Sequence, residues 1–273
     1  MRLLNGIILA FAVLALAAWV IVCVALLVQR YSLIYPFEDW PSAEQVSGVP
    51  GASVARIEAE DGIEILAWVD PPRPDRPVVL YLTGDSGSLP AAEPKLAEYA
   101  LAGFGIVAMN YRGAGGGAGV PDQDDIISDG VRLYDALPTL LDNAPLPPVI
   151  AGVSLGAAVA AQVAAQRSSK ALLLEAPFSR LCEAAEYRYP LVPACLILPD
   201  QRWETIDVIG SINTPLLIQH GVDDEIIPFE QGRKLYEAAI GPKAFHAYPE
   251  GNHNDLRLFG AGIHAIKFLD ALS

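Results

Sequence analysis

The stretch Gly152-Val-Ser-Leu-Gly156 decides the fold, because the residues on both sides give it the context of a nucleophile elbow. Before it, the apolar run at residues 149–151 predicts a short buried strand. After it, the alanine-rich run from Leu155 to Gln166 predicts a helix. A strand, a sharp turn and a helix are the context in which a Gly-x-Ser-x-Gly pattern presents its serine as a nucleophile.

The two glycines of this stretch indicate how tight the turn is. Side chains at both flanking positions would clash, and Gly152 and Gly156 have none. The turn lifts the hydroxyl of Ser154 above the sheet and places the Leu155 amide at a helix N-terminus, where it can donate to an oxyanion. We therefore predict Ser154 as the nucleophile and the Leu155 amide as one oxyanion-hole donor.

A serine nucleophile needs a base and an orienting acid, which in this arrangement follow it in the order acid, then histidine. All four histidines of the chain follow Ser154. His253 lies in a loop between the predicted last strand, residues 244–248, and a predicted terminal helix near residue 255, where a base would reach the strand ends. We predict His253 as the base. The other three histidines occupy positions typical of structural roles: His220, His246 and His264.

The loop at residues 220–228 follows a predicted strand and carries three adjacent carboxylates, of which only one can face the imidazole. We predict that Asp224 is the acid, with Asp223 as the main alternative. Glu175, at the end of the preceding predicted strand, is a further alternative.

Three motifs in combination resemble the α/β-hydrolase superfamily. They are the elbow at Ser154, the His-Gly-x-x-Asp-x-x-x-Pro loop beginning at His220, and the Gly-Asn-His-Asn-Asp loop around His253. Residues 33–36, Leu-Ile-Tyr-Pro, and 111–113, Tyr-Arg-Gly, resemble more narrowly the membrane-anchored, serine aminopeptidase-like branch. The resemblance runs from about residue 33 to the C-terminus. By motif position, it implies a triad of the same Ser154, Asp224 and His253.

One loop departs from the family pattern. The family has His-Gly-Asn after the third strand, whereas residues 83–87 read Thr-Gly-Asp-Ser-Gly. The second oxyanion donor would then be the backbone amide of Asp85, and a backbone donor tolerates a change of side chain. The Asp85 carboxylate must point away from the developing negative charge. We expect this departure to affect rate and substrate preference more than reaction class.

The N-terminus carries a long apolar segment. From Gly6 to Val28 the chain has 23 uncharged, mostly apolar residues, enough to span a bilayer. A cleaved signal peptide has a shorter apolar core, and here apolar residues continue past the small-residue pattern at 15–17. We therefore predict an uncleaved single-pass membrane anchor over residues 1–30 rather than a signal peptide.

The charges that flank this segment bear on its orientation. Arg2 precedes the segment, whereas Arg30 is soon followed by Glu38 and Asp39. This pattern favours an N-terminus on the inside and a catalytic domain on the exoplasmic or periplasmic side.

After the anchor, we predict a tether over residues 31–50 and one α/β-hydrolase domain over residues 51–273. Strands that alternate with helices predict a mostly parallel sheet with helices on both faces. The aromatic and apolar segment 178–212 predicts a small cap, which either lines an acyl pocket or packs onto the core. The glycine-rich residues 113–119 predict a mobile surface loop.

The composition and the sequence patterns limit the classes of partner and cofactor that the chain could bind. The net charge of −14 argues against binding to nucleic acid. The chain has no Cys-x-x-Cys, His-Glu-x-x-His or P-loop pattern, so no metal or nucleotide cofactor is implied. Cys23 lies in the predicted anchor, while Cys182 and Cys195 are either buried thiols or an exoplasmic disulfide.

Taken together, these features predict a membrane-anchored serine hydrolase that cleaves carboxylic esters or thioesters through an acyl-enzyme. Lipid-derived or other small-molecule esters are the expected substrates, because the anchor holds the site near a bilayer. Within the enzyme class, an amidase or aminopeptidase is the alternative. Outside it, the alternative is a catalytically silent hydrolase-fold protein that only binds.

Overall fold

A computed structural model describes residues 2–37, 40–142, 147–198 and 200–272. Glu38 and Asp39, which entered the prediction of membrane orientation, lie outside the described residues.

The described residues form one eight-stranded sheet. Its strands are β1 Ser53–Glu58, β2 Glu64–Asp70, β3 Val78–Leu82, β4 Gly105–Met109, β5 Val149–Val153, β6 Ala171–Glu175, β7 Leu216–Gly221 and β8 Lys243–Tyr248. Their order across the sheet is β1-β2-β4-β3-β5-β6-β7-β8. Strand β2 pairs antiparallel with both of its neighbours, β1 and β4. Strands β3 to β8 all run parallel to one another. The predicted mostly parallel sheet of an α/β-hydrolase fold is confirmed.

The central strands are apolar throughout because both faces of the sheet are covered. Alternate side chains of β3 show this directly. Val78, Leu80 and Leu82 belong to one hydrophobic core, whereas Val79 and Tyr81 belong to the other.

Ten α-helices complete the described structure. They are α1 Arg2–Val28, α2 Arg30–Ile34, α3 Leu89–Leu101, α4 Gln123–Leu140, α5 Leu155–Gln166, α6 Leu181–Arg188, α7 Ala194–Ile197, α8 Thr205–Ile209, α9 Phe229–Ala238 and α10 Ala261–Asp270. Helices α3 and α10 pack on one face of the sheet, and α4, α5, α8 and α9 pack on the other. The terminal helix begins later than predicted, because a 3-10 turn at Leu256–Phe259 ends at Gly260, where φ is +85°.

Helix α1 is 27 residues long, and among the described helices it is the one long and apolar enough to cross a membrane. Most of its side chains are exposed. An apolar helix that leaves its side chains uncovered by protein is typical of a membrane span or a signal sequence.

The segment predicted as a tether packs against the domain over much of its length. Tyr35 and Phe37 are buried in the core beside α5, and Ala43 and Val49 are buried on the opposite face. The Nε1 of Trp203 donates a hydrogen bond to the Tyr35 hydroxyl at 3.2 Å. These apolar side chains hold the segment on the domain.

The glycine-rich residues 113–119, predicted as a mobile surface loop, make several hydrogen bonds. A 3-10 turn forms at Ala114–Gly116. The Gly115 amide donates to the Phe37 carbonyl at 3.3 Å, and the Asn110 side-chain amide donates to the Ala114 carbonyl at 2.9 Å. The contact with Phe37 comes from a segment distant in the sequence, so composition alone could not reveal it.

The segment 178–212 forms α6, α7 and α8 with connecting turns. A disulfide joins Cys182 to Cys195, which ties α6 to α7. The buried indole of Trp203 packs into the domain core. Of the two packing alternatives for this segment, part of it therefore serves the core.

A buried ion pair connects the loop after β4 to α4. The Arg112 guanidinium donates two hydrogen bonds to Asp129, at 2.8 and 2.7 Å. Both side chains are almost fully buried. The partly exposed carboxylates of Asp61 and Asp125 lie 2.9 and 3.0 Å from Arg112.

Candidate active site

The site begins at the junction of β5 and α5. Ser154 occupies that turn with φ of +54°, a conformation rare for a residue with a side chain. Its amide donates to the Glu175 carbonyl of β6 at 2.9 Å, which fixes the turn to the sheet. The strand, sharp turn and helix expected for a nucleophile elbow are present.

Both flanking glycines are required by backbone contacts. A Cβ on Gly152 would overlap the carbonyl group of Gly156. A Cβ on Gly156 would overlap the carbonyl oxygens of Leu82 and Thr83. Because these are backbone atoms, no change of rotamer could relieve the overlap. The turn therefore excludes any other residue at either position.

The imidazole of His253 lies between the hydroxyl of Ser154 and the carboxylate of Asp224. Its Nε2 is 3.0 Å from the Ser154 Oγ, and its Nδ1 is 2.8 Å from the Asp224 Oδ2. All three residues are buried. A carboxylate can only accept at neutral pH, so Nδ1 carries the proton and Nε2 is free to accept from the serine. The structure thus brings together the three residues predicted from the motifs.

The Asp224 carboxylate is held by its own loop. Its Oδ1 accepts hydrogen bonds from the amides of Ile226 and Ile227 at 2.9 and 2.8 Å. Burial acts to raise the pKa of Asp224, but contacts with His220 and His253 and the Ile227 amide outweigh burial and lower that pKa well below its usual value. Asp224 is therefore ionised at neutral pH.

The two alternative acids lie elsewhere. The side chain of Asp223 is exposed, and its amide donates to the Gly251 carbonyl at 3.1 Å. Glu175 forms an ion pair with Lys95. The geometry therefore favours Asp224 over both as the partner of His253.

His220 contacts the site from behind Asp224, which the sequence did not indicate. Its Nε2 donates to the Ile227 carbonyl at 3.0 Å and lies 3.4 Å from the Asp224 Oδ2. The contact with Ile227 agrees with the structural role predicted for His220. The contact with Asp224 depends on how the loop folds back, and sequence spacing gives no signal of it.

The loop that carries His253 is fixed by a chain of side-chain hydrogen bonds. The Asp255 carboxylate accepts from the Asn252 amide at 2.7 Å, and the Asn252 side-chain oxygen accepts from the His253 amide at 2.7 Å. The base is therefore held by the residues on either side of it.

Of the two residues predicted to supply oxyanion donors, Leu155 directly follows Ser154 in the chain, and Asp85 lines the same cleft as Ser154. Leu155 is the first residue of α5, so its amide has no partner within the helix. Asp85 lies in the loop after β3, and its side chain is exposed. That loop is fixed by the Tyr111 hydroxyl, which donates to the Thr83 carbonyl at 2.7 Å.

Comparison with known proteins identifies the fold family. No protein-family model matches the chain. An uncharacterized protein of Mycobacterium tuberculosis is 32% identical over 247 residues, which cover 89% of this chain and 86% of that protein. The lysophosphatidylserine lipase ABHD12 of Danio rerio is 28% identical over 232 residues, which cover 70% of this chain and 60% of the lipase.

A solved structure of an esterase from Pyrococcus furiosus superimposes with a TM-score of 0.69 at 16% identity, covering 85% of this chain and 96% of the esterase. The chain belongs to the α/β-hydrolase superfamily. The esterase and the lipase among its relatives and structural neighbours support hydrolase activity.

In this hydrolase, an open cleft lies beside Ser154. Trp40, from the segment predicted as a tether, forms one wall. Lys95 and Glu175 also line the cleft, together with the apolar side chain of Val153. No described residue between 178 and 212 lines this cleft. Of the two alternatives for that segment, the cleft therefore gives no support to the lining of an acyl pocket.

Trp40 and Lys95 are among the cleft residues that the sequence did not indicate. Trp40 lies four residues past the Leu-Ile-Tyr-Pro stretch, which gives no signal of a cleft contact, and Lys95 has the sequence context of an ordinary helix residue. Within the described ranges, no group of three or more His, Cys, Asp or Glu side chains is arranged to hold a metal ion.

Proposed function

We propose that the protein is a membrane-anchored serine hydrolase that cleaves carboxylic esters or thioesters through an acyl-enzyme. One observation carries the proposal. The His253 imidazole joins the Ser154 hydroxyl, at 3.0 Å, to the buried Asp224 carboxylate, at 2.8 Å. This arrangement of nucleophile, base and orienting acid is the one that activates a serine for acyl transfer.

In the first half of the reaction, the Ser154 Oγ attacks the acyl carbonyl while His253 Nε2 takes the proton of the Ser154 hydroxyl. The Asp224 carboxylate keeps the imidazole oriented and stabilises its positive charge. The amides of Leu155 and Asp85 donate to the oxyanion of the tetrahedral intermediate. The intermediate collapses as the bond to the leaving group breaks and His253 gives its proton to that group.

In the second half, the same groups act on water. His253 Nε2 takes a proton from a water molecule as that water attacks the acyl-enzyme carbonyl. The oxyanion again accepts hydrogen bonds from the two amides. When the second intermediate collapses, Ser154 leaves with the proton that His253 held, and the free acid is released.

The N-terminal helix and the disulfide support a position at a membrane, with the domain on the exoplasmic or periplasmic side. Helix α1 is long and apolar enough to span a bilayer. The Cys182–Cys195 disulfide is typical of a domain in an oxidising compartment. Arg2 at the start of α1 agrees with an N-terminus on the cytoplasmic side.

A lipid-derived ester is the proposed substrate. Helix α1 would hold the cleft within reach of a bilayer, where such esters are concentrated. The similarity to a lysophosphatidylserine lipase also supports a lipid-derived substrate. The wall formed by Trp40 offers apolar surface to an acyl chain.

Hydrolysis by the purified full-length protein in detergent tests this proposal. The substrates are an ester, a thioester and an amide that share one acyl group. The wild type is compared with Ser154→Ala and with Ser86→Ala, because Ser86 lines the same cleft. We expect turnover of the ester and the thioester that Ser154→Ala abolishes and Ser86→Ala retains. Ester turnover that survives in Ser154→Ala would contradict the proposal, and preferred turnover of the amide would overturn the substrate class.

A further inference from the structure

An exposed apolar surface lies on the cap. We call residues 187–198 the cap tip. Its large exposed side chains are Tyr187 and Tyr189, 57% and 53% exposed, and Leu191 and Leu196, 81% and 80% exposed. From Tyr189 to Leu198 the tip has no charged residue. Such a patch on a water-soluble surface marks a place where something apolar is bound.

The cap tip lies against helix α1. The indole Nε1 of Trp19 donates to the Leu191 carbonyl at 2.7 Å. Further along the helix axis, the Arg30 guanidinium pairs with Asp200 at 2.6 Å, just past the tip. Cys23, between these two contacts, is buried. The tip therefore runs beside the C-terminal third of the apolar helix.

The length of α1 fixes the depth of this contact. At about 1.5 Å per residue, the 27 residues of α1 span about 40 Å, while the hydrocarbon core of a bilayer is about 30 Å thick. With Arg2 at the inner surface, the hydrocarbon therefore ends about 20 residues later. Trp19 lies about three residues before that boundary, in the outer leaflet and close to the interface, where tryptophan is enriched in membrane helices. Leu191, in contact with Trp19, lies at the same depth.

We propose that the cap tip inserts Leu191 and Leu196 into the outer leaflet of the bilayer that α1 spans. This inference rests on the membrane attachment in the proposed function. The tyrosines of the tip then lie at the headgroup level, where their amphipathic rings are favoured. The occupant of the exposed patch is thus the lipid itself.

Several backbone positions of the tip leave no unpaired amide hydrogen, as a bilayer requires. Buried amides need partners in a bilayer, and two positions of the tip, Pro190 and Pro193, carry no amide hydrogen. Other amides are paired internally: Val192 donates to the Tyr189 carbonyl at 2.9 Å, and Leu196 donates to the Pro193 carbonyl at 2.9 Å.

A second contact changes how the domain is held. A single helix leaves a domain free to rotate about the helix axis. With the tip also in the bilayer, a rotation of the domain about α1 would pull the tip out of the lipid. The Cys182–Cys195 disulfide ties the tip to α6, so this restraint acts on the domain. The domain therefore faces the bilayer in one orientation.

Photo-crosslinking to lipid tests the insertion. The photoreactive residue p-benzoylphenylalanine replaces one leucine at a time in the full-length protein, which is reconstituted into vesicles of phosphatidylcholine and phosphatidylglycerol. The tip positions are Leu191 and Leu196. Leu14, in α1, reports whether the anchor is in the bilayer. Leu101, 65% exposed at the C-terminal end of α3, is the control for exposure alone. Fluorophosphonate labelling of each variant verifies that its fold and serine site are intact.

We expect lipid adducts, located by mass spectrometry, at Leu14, Leu191 and Leu196, and none at Leu101. Adducts at Leu14 without adducts at either tip position overturn the insertion and leave the anchor in place. An absence of adducts at Leu14 overturns the membrane attachment, and the insertion with it. Equal adducts at Leu101 and at the tip also overturn the proposal, because they show contact without selectivity.

Discussion

The carboxylate of Asp224 accepts a hydrogen bond from His253 Nδ1 at 2.8 Å, whereas its neighbour Asp223 faces solvent. Two adjacent residues of the same type thus differ completely in environment. The amides of Ile226 and Ile227 hold one carboxylate in place, and His220 lies behind it. A substitution at Asp223 can therefore serve as the control for the same substitution at Asp224, the predicted acid.

We expect Asp224→Asn to lower kcat for ester hydrolysis by about 10³- to 10⁴-fold, because an amide favours the wrong imidazole tautomer and does not stabilise the imidazolium. Asp223→Asn should change kcat by less than about twofold, since its side chain is exposed. The measurement is steady-state turnover of a soluble ester, with thermal melting to verify folding. Equal losses in the two variants would exclude Asp224 as the specific partner.

The second prediction concerns the elbow. We expect Gly156→Ala to abolish hydrolysis and to lower the melting temperature, because the new Cβ would overlap the carbonyl oxygens of Leu82 and Thr83 and force the start of α5 away from the end of β3. Gly210→Ala is the matched control, because its Cβ would meet the Ala238 carbonyl oxygen at an ordinary 3.5 Å. Thermal melting and ester turnover are measured for both. Full activity in Gly156→Ala would contradict the described turn.

Much of the fold and the central part of the site could be predicted from the sequence, because both depend on local patterns. Apolar runs with the lengths of strands placed β5 and β8 within two residues of their observed ends. The elbow, the acid loop and the histidine loop are each short motifs. Their order along the chain, together with the parallel sheet, was enough to predict that Ser154, Asp224 and His253 would meet.

What the sequence could not predict depends on contacts between distant segments. Trp40 enters the cleft because residues before the sheet fold back over the domain. The glycines at 113–119 are fixed by Phe37, which no local pattern indicates. The apolar character of segment 178–212 was visible, but hydropathy does not distinguish a side chain that lines a pocket from one that faces lipid.

The third prediction concerns the buried ion pair. Arg112→Ala leaves the Asp129 carboxylate buried without its partner, which should cost about 3–5 kcal/mol in the free energy of unfolding. Arg167→Ala removes an exposed pair with Asp135 that has the same two-bond geometry, and should cost less than about 1 kcal/mol. The melting temperatures should then differ by about 10 °C. Similar melting temperatures for the two variants would show that the Arg112 pair is not buried as described.

The fourth prediction concerns the cap. Protein purified without reductant should show one thiol available to alkylation after denaturation, Cys23, because Cys182 and Cys195 are joined. Mass spectrometry after alkylation, with and without prior reduction, measures this number. Cys182→Ser together with Cys195→Ser should destabilise the cap by about 3 kcal/mol through the loss of a short cross-link. Three alkylated thiols without reduction would contradict the disulfide and remove its support for an oxidising compartment.

The most direct test of the central claim is covalent labelling of the purified protein by a fluorophosphonate, which reacts with activated serines. We expect rapid labelling of the wild type and of Ser86→Ala, slow labelling of His253→Gln, and no labelling of Ser154→Ala. That result would establish that His253 activates Ser154. Folded wild-type protein that stays unlabelled, or equal labelling of Ser154→Ala, would contradict the account and favour a hydrolase fold that binds without catalysis.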